Sequence, residues 1–534
     1  MRMNNRLNER KVKFNRTRNV ERNVVFGLLN RFFALLLPFI VRTVLIYRFG
    51  AVYLGMNSLF ASVLEVLNLA ELGFGSAVVY SLYLPLARED TDTVCAYLGT
   101  YRKIYRIIGI VIFVAGLAVM PFLPWLLQGS TVPDGMNVFI WYLIFLVNAA
   151  TSYLLYGYKT SVPSALQRND VLSKIDTVVL IGRTVVQLFF LYCTDNFYYY
   201  LLTSLCFTLV RNVLIARVTE KLYPQYVCRG SISRAQFTEL KKLVYGLLLS
   251  KIRGTSRHAI DSICITAFIG LTMTAIYANY FLIHSSVVSI SFILADAMMA
   301  SVGNSIATES TEKTWQDMRR FNFLYMLAAG WATICLLCLY QPFVRLWVGP
   351  DLMLGMPEVA ALCLYFYVLK AGDIRWIYFE GAGLWWKARY FVIAEILANI
   401  VLNILLAKYW GVLGIILASL FSLFFIDFIN GARILFDEYF KNGKLGMFFA
   451  DHGKYLLVTV VLAGLCFYAC EQVSIVVAAW FTESKMGQLV AFALRLIICT
   501  VVSVLGYWLA YHRTEQYKEA KQWVRLRIDG WRKK

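Results

Sequence analysis

Ionisable side chains stand inside segments that are otherwise apolar, and their spacing is where the chemistry of this chain begins. Arg31 and Arg42 are eleven residues apart in the first apolar run, about three helical turns, so both project from one helix face. Ser62, Glu65, Asn68, Glu71 and Gly75 make a polar stripe in the second run. The seventh holds Lys251, Arg253, Arg257, His258 and Asp261, with Arg257 and Asp261 one turn apart. In the eighth, Ser285, Ser289 and Asp296 share a face with His284 beside it, and the tenth places Lys370, Asp373 and Arg375 around Gly372, where a helix irregularity is expected.

A charge at membrane depth costs about 2.5–3.5 kcal/mol on insertion scales, so it is kept where it faces a cavity or a partner. Arginine there suits a phosphate or an acidic sugar, because guanidinium is a planar, permanently charged fork. The expected substrate cavity therefore comprises Arg31, Arg42, Glu65, Asn68, Glu71, Arg257, Asp261, Asp296, Lys370, Asp373 and Arg375, with His258 and Asp261 as candidates for ion coupling. Internal salt bridges from Arg31, Arg257 and Arg375 to Glu71, Asp261 or Asp373 are the competing reading. Lys251 and Arg253 could instead snorkel to the cytoplasmic interface.

The elements that must position these groups follow from composition. The 534 residues are 59% hydrophobic and 16% charged, with a mean hydropathy of +0.62, more apolar surface than one globular core hides. Runs of the roughly 20 residues that a membrane helix needs recur near 24–48, 53–84, 104–127, 137–160, 172–193, 197–218, 243–268, 276–307, 321–347, 357–380, 388–409, 411–435, 453–473 and 488–512. The expected class is all-α, a polytopic membrane protein of about fourteen spans. The first run is too long for a signal-peptide core and reads as an uncleaved span.

Lysine and arginine alternate between loops. One side holds the amino-terminal cluster from Arg2 to Arg22, Arg102 and Lys103, Lys159 and Arg168, Lys221 and Arg229, Lys313 and Arg319, Lys387 and Arg389, Lys441 and Lys444, and the basic carboxyl terminus. The other has little beyond Arg48, Arg345, Lys408 and Lys485. Positive charge is retained on the cytoplasmic side, which puts both termini there. The net charge of +20 thus points to anionic lipids and an anionic substrate rather than nucleic acid.

The domain plan reads as a basic cytoplasmic tail (1–23), an N-lobe of six spans (24–218), a cytoplasmic linker (219–242), a C-lobe of six spans (243–436), two added spans (437–512) and a basic amphipathic tail (513–534). In that tail Tyr517, Ala520, Val524, Ile528 and Trp531 recur at helical spacing, an interfacial helix or a solvated end. Gly55-Met56-Asn57-Ser58-Leu59-Phe60 can be laid on Tyr277-Ala278-Asn279-Tyr280-Phe281-Leu282, which suggests parallel halves flanking a central cavity.

The eleven cysteines sit mostly in apolar runs, where a thiol packs as a small hydrophobe. Cys335-Leu336-Leu337-Cys338 has a metal-like spacing, but no second pair completes a site, so neither metal nor cofactor is expected. A phosphate-binding Gly-x-x-x-x-Gly-Lys-Ser/Thr loop is absent from the sequence. Asp90-Thr91-Asp92 reads as a solvated loop rather than a glycosyltransferase acidic pair.

The chain resembles the polysaccharide transporters, or oligosaccharide flippases, of the multidrug/oligosaccharidyl-lipid/polysaccharide (MOP) exporter superfamily. The resemblance is carried by Tyr53-Leu54-Gly55-Met56-Asn57-Ser58-Leu59-Phe60, by the stretch from Leu67 to Ala77, by Asp261-Ser262 with Ala267-Phe268-Ile269-Gly270-Leu271, and by the stretch from Val302 to Glu309. It implies two six-helix lobes around a cavity plus two further helices, and no enzyme. It also implies alternating-access movement of an oligosaccharide on undecaprenyl pyrophosphate across the bacterial cytoplasmic membrane for surface polysaccharide assembly, alongside other assembly proteins. A drug or metabolite antiporter of the same superfamily is the nearest rival, though organic cations call for acidic cavity groups. A membrane polymerase or glycosyltransferase would need a larger external loop than any read here.

Overall fold

Inside a bilayer no water satisfies backbone N–H and C=O groups, so apolar runs must close their hydrogen bonds internally as helices. The computed structural model describes residues 16–71, 73–133, 135–441, 443–481 and 484–532, and among these every regular element is helical. The basic cluster before Arg16 lies outside the described residues, as does Leu72, and so do the side chains of Arg16, Arg18, Lys251, Arg253, Ile528 and Trp531.

In chain order the helices are α1 (Arg16–Phe49), α2 (Ala51–Leu67), α3 (Phe74–Ala87), α4 (Thr91–Val119), the short α5 (Leu123–Leu126), α6 (Val138–Leu154), the short α7 (Ser161–Ala165), α8 (Asn169–Cys193) and α9 (Phe197–Leu222). They continue with α10 (Arg234–Phe268), α11 (Leu271–Thr308), α12 (Thr311–Val348), α13 (Met356–Gly381), α14 (Arg389–Phe421), α15 (Ile429–Leu435), α16 (Leu445–Phe481), α17 (Lys485–Tyr511) and α18 (Glu515–Arg532). Among the described residues nine helical stretches are long and apolar enough to cross a membrane, and α6 with residues 157–165, bent by 52°, makes a tenth. A helix stands at each of the fourteen expected positions; α10 and α13, which carry charged clusters, fall outside that count.

The second expected span is not one helix. α2 ends at Leu67, residues 68–71 form a 3-10 turn, and α3 starts after Gly73. Gly73 has φ +101°, and a Cβ there would meet the Val244 carbonyl and the Leu248 nitrogen, so only glycine turns the chain at this point. The stripe is therefore divided among α2 (Ser62, Glu65), the turn (Asn68, Glu71) and α3 (Gly75). Conversely, α13 passes Gly372 without a break, and the real irregularity falls at Gly411 (φ 56°, ψ −131°), between the two expected spans that α14 joins.

Two compact units emerge, one of residues 1–48, 70–121 and 135–248, the other of 49–69, 122–134 and 249–534. In the first, α1 and α8 run parallel: Asn23 bonds the Asp170 backbone, Thr177 bonds Asn30 and Arg48 bonds Asp195, each pair 147 residues apart. Tyr101, Leu82, Leu98 and Val162 pack its core between α3, α4 and α7.

In the second unit, α12, α13, α16 and α17 enclose Phe323, Tyr378, Cys466 and Cys499. The carboxyl-terminal stretch is helical as expected, but one face docks on protein. Ala520 is buried, Trp523 meets Phe321 edge-on at 5.5 Å, and Gln516 bonds Asp451 at 2.9 Å.

The halves repeat in register, at an offset two residues from the one the sequence alignment suggests. α2 follows Gly50 (φ 94°, ψ 168°) and α11 follows Gly270 (φ 122°, ψ 173°), 220 positions later. Leu54, Met56, Leu59 and Phe60 are buried, as are Thr274, Ile276, Asn279 and Tyr280 at the same offset. The next helices also match, for Asp90 caps α4 by accepting from the Thr93 N–H and Ser310 caps α12 by accepting from the Lys313 N–H.

The two repeat helices α2 and α11 pack together in the second unit. A Cβ on Gly55 would overlap the Leu271 carbonyl, which is backbone and cannot yield. We expect Gly55→Val to lower stability by about 2 kcal/mol or more, read as a drop in the midpoint of thermal unfolding in detergent, while Gly27→Ala, at an open position, leaves it unchanged.

Candidate functional site

Membrane helices carrying charge must pair it, and in the second unit Arg257, Lys370, Asp373 and Arg375 are in ion pairs while Asp261 is hydrogen-bonded. Arg257 on α10 donates to Glu395 on α14 at 2.6 Å, and both side chains are almost fully buried. Its partner is therefore Glu395 rather than Asp261, one turn along its own helix. Asp261 instead accepts from Asn403 (2.8 Å), Ser419 (2.8 Å) and Tyr277 (3.3 Å), and Asn399 donates to the same Ser419 hydroxyl at 2.8 Å. His258 lies flat on Phe281, ring centroids 3.4 Å apart, and His284 is buried against Phe281 and Tyr365.

Arg375 pairs with Asp427 at 2.9 Å, not with Asp373, and donates to the backbone carbonyls of Asp427 (2.8 Å) and Phe428 (3.3 Å). Ser422–Phe428 is π-helical. That wider turn changes the usual carbonyl ladder where the guanidinium binds. Gly431 completes the socket, since a Cβ there would coincide with the guanidinium nitrogen. Asp373 accepts from Lys370 at 2.7 Å and from Tyr325 at 2.6 Å. Asp296 on α11 is exposed. Glu65 and Asn68 are half-buried in the second unit.

In the first unit Glu71 accepts from Tyr105 at 3.0 Å. Arg31 and Arg42 are half-buried on α1, and no carboxylate lies within ion-pair distance of Arg31 among the described residues. Along the parallel α8, Arg183 likewise has no ion-pair partner among the described residues, and Arg42 and Arg183 both lie within electrostatic range of Tyr200. Arg183 and Arg211 line a cavity of roughly 200 Å³ with Asn30, Asp176 and Thr208; Arg211 is neutralised there by Asp176 at 2.7 Å.

At the helix ends the charges are structural. Asp92 pairs with Arg229 at 2.6 Å, and the Lys313 ammonium beside Glu309 holds that carboxyl below its ordinary range.

Sequence reasoning missed Arg183, Glu395, Asn399, Asn403, Ser419 and Asp427. A signal existed: Glu395, Asn399 and Asn403 recur every four residues, one polar face in an apolar run.

No family profile and no curated protein matches the chain in sequence. Solved structures do match in three dimensions. The lipid II flippase MurJ in an inward closed conformation aligns over 92% of this chain and 99% of its own, with TM-score 0.65 and 13% identity. An inward-facing multidrug resistance MATE transporter of the MOP superfamily aligns over 80% and 99%, with TM-score 0.58 and 13% identity. A mutant of the Vibrio cholerae MATE transporter VcmN aligns over 79% and 98%, with TM-score 0.52 and 13% identity. At such identity the likeness is one of architecture: this multi-pass membrane protein has the all-helical fold shared by the lipid II flippase and the multidrug exporters of the MOP superfamily.

Proposed function

We propose that this chain moves a lipid-linked oligosaccharide, carried on a polyprenyl pyrophosphate, across the bacterial cytoplasmic membrane by alternating access, with both termini cytoplasmic. The reading rests on the extent of the structural likeness, 92% of the chain for the lipid II flippase against 79–80% for the drug exporters. Charge supports it. Arg257, Lys370 and Arg375 are consumed by carboxylates, so Arg31 on α1 and Arg183 on α8, which have no ion-pair partner among the described residues, are the groups suited to an anionic headgroup. An organic-cation exporter would instead want uncommitted acids at depth.

Asp261 is the coupling group in this reading. Its carboxylate, the Ser419 hydroxyl and the Asn399 and Asn403 amides are oxygen donors that would hold a small hard cation such as Na⁺, or Asp261 alone would hold a proton.

The test is translocation of a pyrophosphate-linked lipid oligosaccharide by purified protein in liposomes, scored by access of an external sugar-modifying enzyme, with organic-cation efflux as control. Protein-dependent access without efflux supports the proposal; efflux without access overturns it. Arg31→Ala and Arg183→Ala should each slow translocation roughly ten- to a hundredfold, the value of a charge-assisted hydrogen bond of roughly 1.5–3 kcal/mol, at unchanged yield of folded protein.

A further inference from the structure

Five of the eleven cysteines gather where α12, α16 and α17 meet, an arrangement the spacing Cys335-x-x-Cys338 does not reveal because its partners lie more than a hundred residues on. The sulfurs of Cys338, Cys470 and Cys499 lie within 4.8 Å of one another, and all three residues are buried. Cys470 and Cys499 are 3.8 Å apart, sulfur to sulfur, and none of the eleven cysteines is in a disulfide. Cys335 and Cys466 stand one helical turn before Cys338 and Cys470.

A metal–thiolate bond is about 2.3 Å, so three sulfurs around one ion in a plane are about 4 Å apart. The observed triangle therefore needs only small side-chain rotations to close on an ion. Its approach is also built of soft donors: a cavity of roughly 670 Å³ opens on Cys338 and is lined by Met353 and Met356 as well as Gln341, Glu471 and Arg495. Thioethers and thiolates select soft cations over Mg²⁺ or Ca²⁺. Arg495, paired with Glu471 at 3.3 Å, donates to the Cys338 carbonyl at 3.2 Å and so fixes the α12 backbone at the site, where binding of the ion would displace the thiol protons to solvent.

We propose that Cys338, Cys470 and Cys499 form a three-thiolate site for a soft monovalent d¹⁰ cation, Cu(I) or Ag(I), reached past Met353 and Met356. The ion would tie α12 to the carboxyl-terminal pair α16 and α17.

The test uses the reduced full chain in detergent, titrated with Ag(I) or with Cu(I) against a chelator, with bound metal counted by elemental analysis and thiolate coordination read by ultraviolet charge-transfer absorption and X-ray absorption. The expected result is one ion per chain on sulfur ligands, with a raised unfolding temperature. Cys470→Ser and Cys499→Ser should each weaken binding at least tenfold, whereas Cys228→Ser, outside this cluster, should not. Metal-free melting of each variant shows whether it has folded, and Cys470→Ala repeats the test without a hydroxyl. Absence of a stoichiometric ion, binding equally tight in the cluster variants, or tighter retention of Zn²⁺ than of Ag(I) would overturn the proposal.

Discussion

Replacing Arg375 with methionine is expected to destabilise the protein by about 3–5 kcal/mol, the cost of removing one member of a buried ion pair. Asp427 is 1% exposed; without the guanidinium its carboxylate, together with the carbonyls of Asp427 and Phe428, loses the hydrogen bonds that Arg375 donates. The double variant Arg375→Met with Asp427→Leu should regain most of the loss, because a buried pair replaced by apolar groups of similar volume is near neutral. Unfolding midpoints of the single and double variants in detergent check this. A single variant within about 1 kcal/mol of wild type would mean that Asp427 is not held as a buried anion.

The second large effect concerns transport rather than folding. Asp261→Asn should abolish stimulation by an ion gradient and lower gradient-driven translocation roughly ten- to a hundredfold, in line with the 1.5–3 kcal/mol of hydrogen bonds to a charged group. The variant should still fold, since the amide oxygen of asparagine can accept from Ser419 and Tyr277. In wild-type liposomes, imposing a Na⁺ gradient and a pH gradient separately identifies the coupling ion. Full gradient stimulation in Asp261→Asn would remove the coupling role.

Much of the architecture could be read from hydropathy alone, because the bilayer gives an apolar run of about 20 residues few alternatives to a helix. Breaks were harder to place. Gly73 and Gly372 look alike in sequence, yet only Gly73 takes a left-handed conformation, with the Val244 and Leu248 backbone packed where a side chain would stand. The chemistry was legible as residue types but not as pairs. Arg257 and Arg375 stood out as costly charges, while their partners Glu395 and Asp427 lie 138 and 52 residues away, on helices that hydropathy marks only as apolar. A four-residue polar spacing and a lone acid say that a partner exists without saying which. The thiol cluster escaped for the same reason: three helices supply it, and each alone shows one or two cysteines in an apolar run.

The fit of Arg375 against Gly431 restricts how this sequence can change over time. Any side chain at 431 displaces the guanidinium, and any shorter residue at 375 gives up the pair with Asp427. No single substitution at either position is therefore neutral, and the three positions must drift together. Related sequences should show 375, 427 and 431 changing as a set, with alanine at 431 confined to chains that lack the arginine.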